Sequence, residues 1–475
     1  MQQIEDINLV SPDYRGARQF HMQGRMTEAE AGYNAALDKA PEDPLLLFYY
    51  GTLAMQTKRY GLGVCLLVRS VELCQTVPEA FNNLGMCLKN AGRIHEAKLA
   101  FERAIRIRPE ADYWNNIASL LVNNGASERC IDACDETLRL QPDHPQGHWN
   151  RSLALLELGR WAEGWDEYKW GYRALGRANR QYDAPPWNGN HVGTLCVFGE
   201  QGVGDEIMFA SVLHEAYTRC DKLIIDCHPR LVEMFKRSFP NADVYGTRKQ
   251  SEVNWFWKYR SIDAKCSIAD LPRLFRRTDG AFPGTPYIVT DPNRDSMAKA
   301  WLSTLPGPYK IGISWQGGTA KTHMEFRSIA PPHLRPVLKV DGVTWINLQY
   351  GEMTQKIATA IEEDVGVKIH TNEPLIHDLD NLTSIAKMCD LVITVDQTLV
   401  WQCGAIGAEC WVLLPHRTSW RFPHRFGSRT PWGNSIDLIR QGPDNLWQPV
   451  IEEAARRLRE RIGVDADQRF LSAAQ

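Results

Sequence analysis

The sequence predicts an α-helical repeat solenoid followed by an α/β body built as two doubly wound lobes, an α plus α/β architecture. Three observations carry that expectation. A phase of 33 or 34 residues runs through the first third of the chain and then stops. A glycine-rich turn between a strand pattern and a helix pattern, GEQGVGDEIMF, follows soon after. From there onward, short apolar runs alternate with helical periodicity, the signature of parallel sheets covered by helices.

The repeat is marked by the residues that end its first helices: Gly24, Lys58, Gly92, Gly125 and Gly159. Prolines keep the same step at Pro41, Pro109 and Pro142, with the slot near Gln75 empty. In the clearest unit, PEAFNNLGMCLKNAGRIHEAKLAFERAIRIRP, one helix face carries Leu84, Gly85 and Leu88 and the next carries Ala97, Phe101 and Ala104. Small residues let the helices approach and large ones fill the gap. The following unit repeats the pattern with Trp114, Ile117, Ala118, Cys130 and Cys134. Stacked hairpins of this kind bury a continuous core that no single unit forms alone. Residues 1–160 are assigned to the solenoid. Residues 161–191, dense in aromatics and ending in Pro185, Pro186 and Trp187, read as a packed junction, since a flexible linker is rich in Gly and Ser.

In the second half TLCVFGE, LIIDCH, KIGISW, VTWINLQ, LVITVD and CWVLLP are strand patterns, each with a helix before or after it. The expected lobes are 192–307 and 308–475. Ligands of such sheets bind at the carboxyl ends of the strands.

Composition narrows the function classes. A chain of 475 residues with 44% hydrophobic content needs more than one core. A net charge of -3 gives no general attraction to nucleic acid. The N-terminal stretch has no leader pattern, and no run approaches the apolar length of a membrane span, so a cytoplasmic protein without membrane attachment is expected. The twelve cysteines are scattered without a CxxC pair, which points to reduced, buried thiols rather than a zinc module or a disulfide framework. No His, Asp or Glu cluster has ligand spacing, and no metal is expected.

The repeats resemble tetratricopeptide repeats. GEQGVGDEIMFA, GISWQGGTAKTHMEFRSI and DLVITVDQTLVWQCGAIGAECWVLLP, in that order behind such repeats, resemble the bacterial repeat-containing glycosyltransferases of GT-B fold. Their catalytic part is similar to the ADP-heptose:lipopolysaccharide heptosyltransferases and, more distantly, to O-GlcNAc transferase. The resemblance implies two Rossmann-like lobes, the first on the acceptor side and the second on the nucleotide-sugar side. It also implies inverting transfer to a protein hydroxyl, with flagellin or another surface protein as acceptor, and no cofactor beyond the nucleotide-sugar substrate.

Such a reaction needs a base for the acceptor and stabilisation for a leaving diphosphate. Gly202 and Gly204 read as a tight turn that brings backbone close to ligand. The resemblance makes Asp205 the base, against the alternative that it caps the helix; Glu200 and Glu206 are weaker candidates. In the second motif Lys321, Thr319 and Arg327 are assigned to the diphosphate, and His323 is left without a role. In the third a strand ends at Asp396 and a helix begins near Thr398, so the N–H groups of Gln397, Thr398 and Leu399 form an anion site. Trp401 stands where relatives have His; it either stacks on sugar or base or packs in the core. Arg421, Arg425 and Arg429 lie in a late segment that either reaches the nucleotide or is surface. The Asp378-Leu379-Asp380 triplet resembles a metal-binding DxD but leads into the third motif and is discounted.

On the solenoid, Tyr49, Asn83, Asn116 and Asn150 share one position in successive units. A column of amides offers paired donors and acceptors to an extended peptide. It resembles the asparagine ladder of O-GlcNAc transferase and is assigned to acceptor binding. Two other readings stay open: a scaffold whose transferase body has lost turnover, and a transferase acting on a glycan, lipid or modified base. Self-association through the repeats is also open.

Overall fold

The computed structural model describes residues 12–176, 180, 182–248, 250, 253–318, 324–351, 354–373 and 378–463. The chain divides into two compact units, Met1–Ala154 and Leu155–Gln475.

The first unit is a stack of helical hairpins: α1 (Pro12–Met22), α2 (Met26–Leu37), α3 (Pro44–Gln56), α4 (Tyr60–Leu73), α5 (Pro78–Asn90), α6 (Ile94–Ile107), α7 (Ala111–Val122) and α8 (Ser127–Leu140), with α9 (Pro145–Glu157) running across the boundary. The residues named by the repeat are the ones that turn the chain. Gly24, Lys58, Gly92 and Gly125 have φ of 76°, 60°, 77° and 70°. At Gly92 the Arg93 N–H donates to the Leu88 carbonyl at 2.9 Å and the Gly92 N–H to the Lys89 carbonyl at 3.1 Å, a Schellman closure of α5. Lys58 makes the same closure, from Arg59 to Ala54 at 2.8 Å and from Lys58 to Met55 at 3.0 Å. Between partner helices the small residues act as expected: a Cβ on Gly85 would lie 2.6 Å from the Phe101 ring. Leu84 and Leu88 of α5 and Ala97, Phe101 and Ala104 of α6 are buried together.

The second unit holds two parallel sheets. The strands are β1 (Val192–Phe198), β2 (Cys220–Asp226), β3 (Asp243–Tyr245), β4 (Ala264–Ser267), β5 (Tyr309–Ile313), β6 (Val343–Asn347), β7 (Ile369–His370), β8 (Leu391–Val395), β9 (Cys410–Leu414) and β10 (Ile436–Arg440). Their orders are β3-β2-β1-β4 and β10-β9-β8-β5-β6-β7. Every residue of β8 and β9 is buried, as expected of strands covered on both faces. The six apolar runs read from the sequence are β1, β2, β5, β6, β8 and β9. The four strands they miss, β3, β4, β7 and β10, include the outer strand at each end of the six-stranded sheet and at the β3 end of the other, and three are four residues long or shorter. In each sheet the chain winds outward on one side and returns to the other, so the order reverses between β1 and β4 and between β5 and β8.

Three expectations are corrected. The helix Pro292–Ser303, placed in the first lobe by a boundary at 307, packs on the helix Leu379–Met388 of the second. Asp291 caps its start, and Asp295 pairs with Lys387 at 2.7 Å while Arg294 pairs with Asp378 at 2.7 Å. The division between units falls at Ala154 rather than 160. The helix pattern that follows the glycine-rich turn is two helices, Val203–Ala210 and Leu213–Tyr217, with Arg276 donating to the Ser211 carbonyl at the break. The aromatic junction is packed as expected: in the helix Trp161–Tyr168, Trp165 lies edge-on to Trp420 at 5.4 Å and donates to the Arg276 carbonyl at 2.9 Å.

Candidate functional site

A cleft of about 740 Å³ opens where the carboxyl ends of the two sheets' strands meet. Both order reversals feed it. This is where open α/β sheets place ligands, because the chains leaving the two central strands turn opposite ways and leave a crevice.

From the first sheet, β1 runs into residues 199–202 and then the Val203–Ala210 helix. The left-handed residue of this turn is Gln201, at φ 63°, which corrects the expectation that Gly202 and Gly204 supply the turn. Gly202 is the helix N-cap at φ -87°. Gly204 lies inside the helix, where a Cβ would sit 3.1 Å from both Thr398 Oγ1 and Trp401 Cδ1. Its missing side chain is what lets this helix approach the Thr398–Ile406 helix of the other lobe. Asp205 lines the cleft, and both its oxygens have partners: Oδ2 accepts the Gly202 N–H at 3.1 Å, and Oδ1 pairs with Arg421 Nη2 at 2.5 Å. The cap alternative and the cleft position thus hold together in one residue. Glu206 is fully buried, accepts the His228 N–H at 2.9 Å and pairs with Arg248. Burial pushes its carboxyl up to about 7 against the pull of Arg248. Glu200 is buried against Ser267 across the β1–β4 reversal. Neither glutamate lines the cleft.

From the second sheet, Ser314 Oγ and Thr394 Oγ1 tie the ends of β5 and β8 at 2.6 Å, and Gln397 Nε2 donates to both. A Cβ on Gly317 would lie 2.4 Å from the Asp396 carbonyl, so the two loops touch as backbone on backbone. Gln397 is the N-cap of the Thr398–Ile406 helix, and the first-turn N–H groups, lacking intrahelical acceptors, lie at the cleft. Arg327 Nη2 donates to the Asp396 carbonyl at 2.9 Å and pairs with its carboxylate at 3.0 Å. The two residues assigned to the donor are therefore bound to each other. Thr319, Lys321 and His323 lie outside the described residues. Trp401 is 5% exposed and stacks on Phe422 at 5.3 Å, so one ring face is taken by the core.

Of the late arginines only Arg421 lines the cleft; Arg425 pairs with Asp279 and Arg429 with Asp437. The Asp378 and Asp380 carboxylates are engaged by Arg294 and Arg237, and Asp378 caps its helix. Among the cleft residues that the sequence did not point to are Arg230 and Tyr350, the Arg230 guanidinium lying 4.7 Å over the Tyr350 ring. Their surroundings, HPRL and QYGE, carry no motif, and only the fold joins them.

In the solenoid unit, each amide of the column donates to a polar side chain of the preceding repeat that lies outside the column. Asn83 Nδ2 donates to Thr52 at 3.0 Å, Asn116 to Asn82 at 2.7 Å and Asn150 to Asn115 at 3.0 Å. The repeat sets each amide beside the preceding helix's polar neighbour, so one donor of each closes the stack. Asn150 is only 8% exposed. Tyr49 packs on Tyr14 at 5.2 Å under Arg18. A second groove of about 500 Å³ lies over α7 between α6 and α8, beside Trp114. No helix among the described residues is long and apolar enough to cross a membrane.

The tetratricopeptide repeat family matches residues 18–70 and 78–111. Among solved structures, that of MamA is similar at TM-score 0.32 and 20% identity over 34% of this chain and 94% of that one. YrrB, described as a TPR protein with an unusual peptide-binding site, is similar at TM-score 0.32 and 14% identity over 37% and 91%. Protein FlbA of Caulobacter vibrioides is 31% identical over 92% of this chain and 82% of its own length. With tetratricopeptide hairpins in front and a parallel α/β body behind, the chain belongs to the family of Protein FlbA.

Proposed function

We propose that the chain is a cytoplasmic glycosyltransferase of GT-B fold that moves a sugar from a nucleotide-sugar donor to a Ser or Thr hydroxyl of a protein presented by the solenoid, flagellin or another surface protein being the acceptor class that the resemblance suggests. The observation that carries the reading is the cleft itself: a carboxylate, Asp205, on one sheet's edge faces a helix N-terminus and arginines on the other's. The acceptor oxygen attacks the anomeric carbon as its proton passes to Asp205. The new C–O bond forms while the bond to the diphosphate breaks, with inversion. The departing negative charge is met by the Thr398 and Leu399 N–H groups, Arg327 and Lys321, a cationic set that does this work without a metal. Gly202 and Gly204 position Asp205 and the facing helix, and Asp396 and Gln397 hold the loop that carries the anion site. Trp401 shapes the wall.

A second reading, a binding scaffold without turnover, is favoured by the engagement of both Asp205 oxygens and by Phe422 taking one face of Trp401. A thermal-shift screen of UDP, GDP, CMP, ADP and dTDP with their sugars, on the wild type and Lys321→Ala, separates them. The transferase reading expects one nucleotide family to raise the melting temperature and the substitution to weaken that rise. No shift with any nucleotide sinks it.

A further inference from the structure

Each oxygen of the Asp205 carboxylate accepts one donor, so an acceptor hydroxyl that approaches Oδ1 meets Arg421 there. One of the two is fixed by the fold: the Gly202 N–H belongs to the same helix start. The other comes from a residue 216 positions away and is the one that can leave. We propose that Arg421 is a positioning residue that changes partners, pairing with Asp205 until the donor's diphosphate draws it across the cleft, so that the base becomes available only after the donor has bound. The proposal rests on the glycosyl-transfer reading above.

Four features support the exchange. Arg421 and Asp205 both line the cleft that the Thr398 helix start also lines. The two side chains are 19% and 21% exposed, enough for an incoming anion to reach the pair and little enough that water does not screen it away. A guanidinium has five donors in a planar fork, and Arg421 uses only one on Asp205; its Nε is buried and has no hydrogen-bond partner among the described residues. The fork rests 4.6 Å over the ring of Trp420, a face along which it can pivot while remaining charged and supported. A diphosphate carries more negative charge than one carboxylate and accepts bidentate bonds, so at equal distance it is the stronger partner. Among the described residues of the cleft, Arg327 pairs with Asp396 and Arg230 lies over Tyr350, so Arg421 is the cation that pairs with Asp205 and for which a diphosphate would compete.

The test is a double-mutant cycle on the full chain with inorganic pyrophosphate as the titrant in calorimetry. Asp205→Asn keeps the shape and removes the competing charge, and should tighten pyrophosphate about tenfold. Arg421→Gln should weaken it about tenfold. With Arg421→Gln already present, adding Asp205→Asn should change affinity by less than about twofold, because the competition no longer exists. If Asp205→Asn gives the same gain in both backgrounds, Asp205 is only a repulsive charge and the exchange is refuted. No gain from Asp205→Asn in the wild-type background refutes it too. No pyrophosphate binding by any of the four proteins removes the anion site of the transfer reading, and the exchange falls with it. Circular dichroism checks folding; if Arg421→Gln is misfolded, Arg421→Lys replaces it and should give a coupling between the two extremes, since it keeps the charge and loses the fork.

Discussion

Replacing Lys58 with glycine should stabilise the solenoid although it removes a side chain. Lys58 sits at φ 60° in the turn after α3, where Gly24, Gly92 and Gly125 occupy the equivalent turns at φ 70° to 77°. A left-handed conformation costs a residue with a Cβ about 1–2 kcal/mol. Glycine recovers that, and loses about 0.4–1 kcal/mol by loosening the unfolded chain. The Lys58 side chain is exposed and enters none of the ion pairs found among the described residues, so little else is lost. The net expectation for Lys58→Gly is a gain of about 0.5–1 kcal/mol. Hydrogen exchange on the full chain reads this locally: amides of α3 and α4 should exchange about two- to fivefold more slowly. Gly92→Ala is the mirror experiment, since open space surrounds the added Cβ and only the φ of 77° opposes it. It should speed exchange in α5 and α6 by a similar factor. If Lys58→Gly leaves exchange unchanged or faster while Gly92→Ala is silent, left-handed strain does not set the stability of these turns.

Gly204→Ala should destabilise the second unit by about 1–3 kcal/mol although alanine is the better helix former, because its Cβ must push on Thr398 and Trp401; a rise in thermal midpoint would count against close helix packing there. Arg237→Ala should cost on the order of 2 kcal/mol in the unfolding free energy read by denaturant, since it strips from the buried Asp380 the Nη2 that lies 2.6 and 2.8 Å from its two oxygens; no change would mean that Arg294 alone satisfies Asp380. Glu206 has a folded pKa raised to about 7, so the folded state holds its proton more tightly than the unfolded chain between about pH 4.5 and 7. That contribution is complete below the unfolded value and lost as pH rises through 7. The second unit's urea midpoint should fall over this window by an amount equivalent to about 3 kcal/mol, and Glu206→Gln should flatten the fall; an identical profile in the variant would assign the pH dependence elsewhere.

Much of this architecture is local information. The turn residues were legible because a φ above zero is a property of one residue and its neighbours, and a 34-residue step repeats it often enough to read even through Lys58. Six strands were legible because a strand buried on both faces must be largely apolar, as the LVITV of β8 is. The outer strands β7 and β10 were not, since an edge has one open side and tolerates His370, Asp437 and Arg440. The site was legible in part. Asp205, Asp396 and Thr398 were found from strand-to-helix turns, whose chemistry follows from chain direction.

The partners of those residues were not legible. By itself the sequence determined the repeat, the strand runs and the loops that face a cleft, because each depends on backbone geometry over a few neighbouring residues. Only the tertiary structure decided that Arg421 meets Asp205, that Arg327 meets Asp396, and that Arg230 covers Tyr350. It also decided that Gly204 serves helix contact rather than a turn, and that the asparagine column bonds from repeat to repeat. Contacts between residues hundreds of positions apart depend on how two sheets meet, and no local pattern encodes that distance.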